Sequence, residues 1–289
     1  MTWFYELLHW MCGTMEMPTS YGWFHFMMVG VTIALLVVYI VLWKKADEKT
    51  FRRIIFWTWI VLVVLETLKQ LTYNFCYNEE NPAASTFSYF WNGFPFQFCA
   101  TPLYAYPFIV FIPNKGKVSS FFWESFVGFA ACFASFGGVV CLVYPEQLFT
   151  ELIFINIQSL LYHGLMFVTG VFICVWLGKR FNLKFVGKSP VVFLFFVALA
   201  MILNITFVKG GIVPEGTTFN MFFISPLFPS SLPVLDSIYP LVPYPVFLLL
   251  YIVGFTLVAF LFFEIAYWIS WTIRKLQEKI TNRKMVEQQ

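Results

Sequence analysis

Along the chain, long apolar runs alternate with short polar gaps, and the basic residues fall in every second gap. An apolar run of about 20 residues is what the ~30 Å core of a bilayer demands of a helix. Runs of that kind predict spans over 22–43, 54–73, 94–112, 121–143, 152–177, 190–208 and 244–271. Sixteen of the 18 lysines and arginines follow the first, third, fifth and last of them. They are Lys44, Lys45, Lys49, Arg52 and Arg53; Lys115 and Lys117; Lys179, Arg180, Lys184 and Lys188; and Arg274, Lys275, Lys279, Arg283 and Lys284. Basic loops stay on the cytoplasmic side of a membrane. The pattern therefore predicts an all-α polytopic membrane protein with seven transmembrane helices, its N-terminus outside and its C-terminus cytoplasmic.

Composition agrees: 60% of residues are hydrophobic and only 11% charged, the balance of a chain whose solvent is lipid. The net charge of +3 comes from the basic loops, and anionic headgroups account for it, so no nucleic-acid partner is implied. Residues 1–13 hold no lysine or arginine ahead of an apolar core, and no cleaved signal peptide is expected. Trp3, Phe4, Leu7, Leu8 and Met11 recur at helical spacing instead, so 1–20 is read as a segment lying on the outer membrane surface. Two outer connections are long, 74–93 and 209–243. The second carries Pro214, Pro226, Pro229, Pro233, Pro240 and Pro243 among apolar residues, which opposes a long helix and leaves two readings: a loop that dips into the outer leaflet or lids a cavity, or a structured one that lies on the outer surface. No repeat or linker divides the chain, so 1–289 is expected to be one domain ending in a basic cytoplasmic tail, 272–289, in the plasma membrane. Cys12 and Cys76 fall outside and are candidates to pair; Cys99, Cys132, Cys141 and Cys174 lie within spans.

The few polar residues inside the spans gather at one depth. Glu66, Lys69 and Gln70 share a face of the second span at i, i+3 and i+4. Gln97 and Cys99 stand near the outer end of the third. Asn156, Ser159 and His163 form a stripe on the fifth, and Asn204 lies in the outer half of the sixth. None of these can face lipid cheaply. They are expected to converge on a polar cavity in the outer half of the bundle. For Glu66 and Lys69 two readings are open, mutual neutralisation or binding of a polar headgroup, with Gln70 beside them. Glu124 and Glu264, near cytoplasmic ends, are read as ion-pair partners of nearby basic residues. His163 is either a satisfied core histidine or a proton-handling group. Gln158, roughly 140° round the helix from His163, is expected to address another neighbour.

Cys99 sits in the string Phe94-Pro95-Phe96-Gln97-Phe98-Cys99-Ala100-Thr101-Pro102. Pro95 suits a first helical turn, and Pro102 takes the helical donor from the carbonyl of Phe98. The backbone there should bend, leaving amides that favour a thiolate or receive an oxyanion. The alternative is cysteine as a small packing residue. No G-x-S-x-G, H-x-x-x-D or Walker loop is present, nor any His/Cys spacing for a metal, so neither a metal nor a cofactor is expected.

FPFQFC at 94–99, YHGLMF at 162–167, Asn220-Met221 and SSLPVLDSIYPLVPYPVF at 230–247 resemble the motifs of bacterial integral membrane proteins called YwaF-like. His25, at the outer end of the first span, is similar to a histidine common in that family. These proteins in turn resemble vertebrate membrane acyltransferases that place polyunsaturated chains on ether phospholipids. The resemblance implies a thioester-forming pair at Cys99 and His163. It also shows two departures, Gln97 where many relatives have histidine and Tyr162 where some have a second one.

Two functions of different class follow as expectations. In the first, an intramembrane acyltransferase or acyl hydrolase acts on phospholipid, with Cys99 as nucleophile and His163 as base and then acid. Asn156 or Asn204 would orient the imidazole and Gln97 would stabilise the oxyanion. Glu66, Lys69, Gln70, His25 and Asn220 would bind substrate. In the second, the same cavity captures a lipid or small polar solute without chemistry, as a binding or transport component. A scaffolding role explains the topology but not the gathering of polar groups.

Overall fold

The computed structural model describes residues 2–76 and 89–286. It is 76% helix, and no strand forms among the described residues. The order is α1 (Thr2–Met11), α2 (Trp23–Trp43), α3 (Glu48–Cys76), α4 (Thr101–Phe111), α5 (Lys117–Phe129), α6 (Ser135–Val143), α7 (Ile153–Leu177), α8 (Leu183–Val186), α9 (Pro190–Lys209), α10 (Leu235–Ile238) and α11 (Tyr244–Val286). A π-helical turn, Ala130–Ala134, joins α5 to α6 as one rod. Among the described residues six stretches are long and apolar enough to cross a membrane: Trp23–Trp43, Glu48–Phe75, Lys117–Val143, Ile153–Arg180, Leu183–Lys209 and Tyr244–Trp268. The tail expected from 272 onward continues α11 as helix to Val286.

The expected third span differs from the rest. Only Phe98–Phe111 is an apolar helix there, and its α-helical part has 11 residues, which cover ~16 Å, about half of a bilayer core. Pro95 and an extended Gln97 (φ −77°, ψ 166°) hold the preceding residues out of the helix. The carbonyls that prolines leave without donors are satisfied from side chains. Thr101 Oγ1 donates to Phe98 O at 2.7 Å, replacing the amide that Pro102 lacks. Trp59 Nε1 donates to Leu103 O at 2.9 Å, replacing the one that Pro107 lacks. At the far end, Arg52 Nη1 reaches the carbonyls of Ile109, Val110 and Ile112 at 2.8, 2.9 and 2.7 Å. Helix ends buried in lipid need such partners.

α7 is the hub, packed against α2, α3 and α6, and glycines let it be approached closely. A Cβ on Gly138 would lie 2.6 Å from the carbonyl oxygen of His163, and one on Gly164 would lie 2.5 Å from Thr32 Oγ1. α2 and α11 instead turn rows of exposed apolar residues outward, Val37, Val41 and Leu42 on one, Leu249, Val253 and Leu257 on the other. α1 lays Leu8 and Met11 on Phe75 and leaves Trp3 and Trp10 exposed. Asp47 starts α3 by accepting from Thr50, whose hydroxyl and amide hold its carboxyl below the usual carboxylate range.

In the 209–243 connection, part of the chain packs into the helix bundle. Phe219, Met221, Phe222, Ile224 and Ser225 are fully buried, and Phe96 stacks on Phe222. The segment fills the room left by the missing turns ahead of α4. Cys12 is disulfide-bonded; the side chain of its expected partner Cys76 lies outside the described residues, as does 77–88 of the first outer connection. Cys99, Cys132, Cys141 and Cys174 are free. Glu124 pairs with Lys188, whereas Glu264 is exposed.

Candidate functional site

α3, the bend ahead of α4, α7 and the inserted 218–231 segment enclose a cavity of about 600 Å³. Glu66, Lys69, Gln97, Cys99, His163 and Asn220 line it, six of the residues singled out from sequence. Glu66 Oε1 receives Lys69 Nζ at 2.8 Å and Gln70 Nε2 at 2.7 Å, so the two charges do neutralise one another while both face the cavity. Cys99, a free cysteine, lines the same cavity as this pair.

His163 carries the informative geometry. Its Nδ1 lies 2.7 Å from Ser159 O. A carbonyl only accepts, so Nδ1 bears the proton and Nε2 holds a free lone pair. That Nε2 is buried and has no partner among the described residues. The Tyr162 hydroxyl, on the preceding residue and also lining the cavity, is buried and unpartnered too. Buried polar atoms without partners are rare and costly, and here two stand on adjacent residues at one cavity.

The other amides are occupied. Gln97 Nε2 donates to Asn220 O at 3.1 Å and Gln97 Oε1 accepts from Phe222 N at 2.9 Å. Asn204 makes the same pair of bonds to Met221, 3.0 Å to its carbonyl and 2.6 Å from its amide. Asn220 ties Pro229 O at 3.0 Å and Ser225 N at 2.8 Å. Three side chains thus stand in for the strand or helix partners that irregular backbone lacks at this depth. They hold Phe222 and Phe223 at φ of 60° and 57°, a conformation that costs bulky residues roughly 1–3 kcal/mol each.

Several expected roles move accordingly. The imidazole of His163 is oriented by its own helix through Ser159, not by an asparagine. Asn204 holds the inserted loop, and Asn156 closes the start of α7, giving Nδ2 to Thr150 O at 2.8 Å and taking Thr150 N at 2.9 Å. His25 is a satisfied structural histidine: Nδ1 accepts from Tyr21 N at 3.0 Å and Nε2 donates to Leu142 O at 2.8 Å, which binds α2 to the end of α6. Gln70 is spent on Glu66 and on Gly93 O at 2.5 Å. None of these four is among the lining residues.

Gln158, expected to look elsewhere, lines the cavity beside Ser159. The signal was present as a second stripe, Gln158 and Tyr162 at i, i+4, next to Ser159 and His163. A cavity wide enough to reach from α3 to the inserted loop takes both. Tyr73 and Asn92 line it as well, and nothing in their sequence context marks them.

The family model of the TMEM164 family matches residues 20–267, a range that contains the whole lining of the cavity. The chain belongs to the TMEM164 family. No curated protein and no solved structure matches it. Membership in this membrane protein family and the six apolar helices make it an integral membrane protein. Among the described residues of this TMEM164-family chain, no cluster of His, Cys, Asp and Glu is arranged to hold a metal ion.

Proposed function

We propose that the chain is an intramembrane acyltransferase or acyl hydrolase that takes phospholipid from the outer leaflet of the plasma membrane, with Cys99 as nucleophile and His163 as base. The single observation that carries this reading is the buried, unpartnered Nε2 of His163, a residue that lines one cavity with Cys99. Nε2 takes the proton of the Cys99 thiol, and the sulfur attacks an ester carbonyl of the lipid. The Tyr162 hydroxyl, rather than the occupied Gln97 side chain or the Ala100 amide that donates to Gln97 O at 2.8 Å, donates to the oxyanion together with the amide of Cys99. The lysolipid alkoxide leaves with the proton from Nε2, and the acyl group remains on sulfur as a thioester. A second hydroxyl, of another lipid or of water, gives its proton to Nε2, attacks the thioester and releases the thiolate. Glu66 and Lys69 hold the zwitterionic part of the headgroup. The likeness of the 94–99 and 162–167 strings to those of acyltransferases supports the same pair.

This reading uses one seven-span domain with its N-terminus outside, the half-length α4 completed as a span by 94–100 and the inserted loop. The charge pattern of the loops supports that orientation. Incubation of membranes with a clickable acyl phospholipid tests the chemistry. Hydroxylamine-sensitive label is expected on wild type, absent from Cys99→Ser and from His163→Ala, and formed about 10²–10³-fold more slowly by Tyr162→Phe. No label on any version would overturn it. The cavity with its Glu66–Lys69 pair would then be read as a non-enzymatic site for a lipid or small polar solute, for binding or transport, shown by ligand-dependent thermal stabilisation that survives Cys99→Ala.

A further inference from the structure

A second hollow, of about 300 Å³, opens between α2 and α3 at the end of the bundle that bears the basic loops, the cytoplasmic end in the orientation argued above. Its floor is buried and closed to hydrogen bonding: Tyr39 and Thr58 bond to one another at 2.8 Å, beside Ile54 and Leu165. Trp43, Trp57 and Val61 form the walls, and Arg53 stands at the mouth. From Arg53 to Val61 the helix rises about 12 Å, close to the ~15 Å of hydrocarbon in one leaflet.

Charge accounting at this end singles out Arg53. Arg52 is consumed by Glu48 at 2.8 Å and by three carbonyls. Arg180 lies 4.6 Å over Trp176, and Lys188 pairs with Glu124. Asp47 is taken by Thr50, so both carboxylates of the connection after α2 are engaged. Arg53 has no hydrogen bond, ion pair or ring contact among the described residues, and Lys44, Lys45 and Lys49 around it are exposed. An apolar slot one leaflet deep, walled by tryptophans and topped by uncompensated positive charge, is complementary to one kind of molecule. We propose that it binds a diacyl phospholipid with an anionic headgroup from the cytoplasmic leaflet, one acyl chain in the slot and the headgroup on Arg53.

The test uses the full chain, purified into micelles containing equimolar phosphatidylcholine and phosphatidylglycerol, with retained lipid read by native mass spectrometry. Wild type is expected to retain phosphatidylglycerol preferentially, and Arg53→Gln to lower that preference about fivefold. Val61→Trp, which fills the slot, should reduce retention of both lipids. Lys184→Gln removes an exposed charge from another basic loop and should leave the preference intact. Equal losses in Arg53→Gln and Lys184→Gln would reduce the effect to diffuse charge and overturn the site. Retention untouched by Val61→Trp, or no preference in wild type, would overturn it as well. All three altered side chains are exposed, so the fold does not depend on them, and the readout is independent of whether Cys99 carries an acyl group.

Discussion

Replacing Gly138 by alanine puts one methyl group where α6 meets the backbone of α7. The added Cβ would stand 2.6 Å from His163 O, 2.9 Å from Phe167 N and 3.1 Å from Met166 Cβ. The two nearest atoms belong to helical backbone, so no rotamer change relieves the clash. Restoring an ordinary contact of about 3.4 Å asks for about 0.8 Å of separation between the helices. Overpacking of this size costs about 1–3 kcal/mol. In a chain this long each kcal/mol lowers the midpoint by about 2 °C or somewhat more. The displaced turn carries the imidazole, and if His163 acts as the proposed base, a shift of ~1 Å should cost about 10²-fold in the rate of acyl labelling. Intrinsic tryptophan fluorescence during heating in detergent reads the midpoint, and hydroxylamine-sensitive acyl labelling reads the chemistry. Gly30→Ala is the control, since a Cβ there meets nothing within 4 Å. A Gly138→Ala variant as stable as Gly30→Ala would refute the close approach of α6 and α7.

Trp59→Phe keeps an aromatic ring, though a smaller one, and deletes the donor to Leu103 O, so it should lower the same midpoint by at least the cost of one unpaired part-buried carbonyl, about 1–3 kcal/mol; an unchanged midpoint would mean that Pro107 needs no such rescue. Arg52→Lys should cost a similar ~1–3 kcal/mol, because a single ammonium cannot serve three carbonyls and Glu48 together. Recovery of wild-type stability in that variant would show that charge alone suffices. Asn204→Leu removes both bonds to Met221 and should free the inserted loop, seen as rapid cleavage within 210–243 by protease added from the N-terminal side, while wild type resists. Equal resistance would place the hold on the loop elsewhere.

Much of the fold was legible because lipid imposes one rule, a helix about 20 apolar residues long, and six stretches obey it. The exception is instructive. Residues 94–112 have the length and apolarity of a span, but Pro102 and Pro107 stand where a continuous helix would need amides. The donors that replace them, Thr101 and Trp59, and the loop more than 100 residues away that bonds to Gln97, are visible only in three dimensions. The polar cluster was also legible as a cluster, since depth along each run follows from the charge pattern. Roles within it were not, because a residue type does not reveal whether its hydrogen bonds are already made. His25 and His163 illustrate this: the same side chain, both in apolar helices, one with two partners and one with a single carbonyl.

That distinction bears on what the gathered polar residues are for. A loop buried in the bundle needs its amides and carbonyls satisfied, and Gln97, Asn204 and Asn220 do this with six hydrogen bonds to it. A purely structural role therefore explains these three, and Asn156, His25 and Gln70 with them. It leaves unexplained the unpartnered Nε2 of His163 and hydroxyl of Tyr162, which share one cavity with an ion pair and a free cysteine, whereas the equally unpartnered hydroxyls of Tyr106 and Tyr251 stand apart from it. A scaffold gains by filling such a cavity with leucine, since an unpartnered buried polar atom costs about 1–3 kcal/mol. An unpartnered acceptor, an unpartnered donor and a free thiol on the residues of one cavity are the groups the proposed acyl transfer would use.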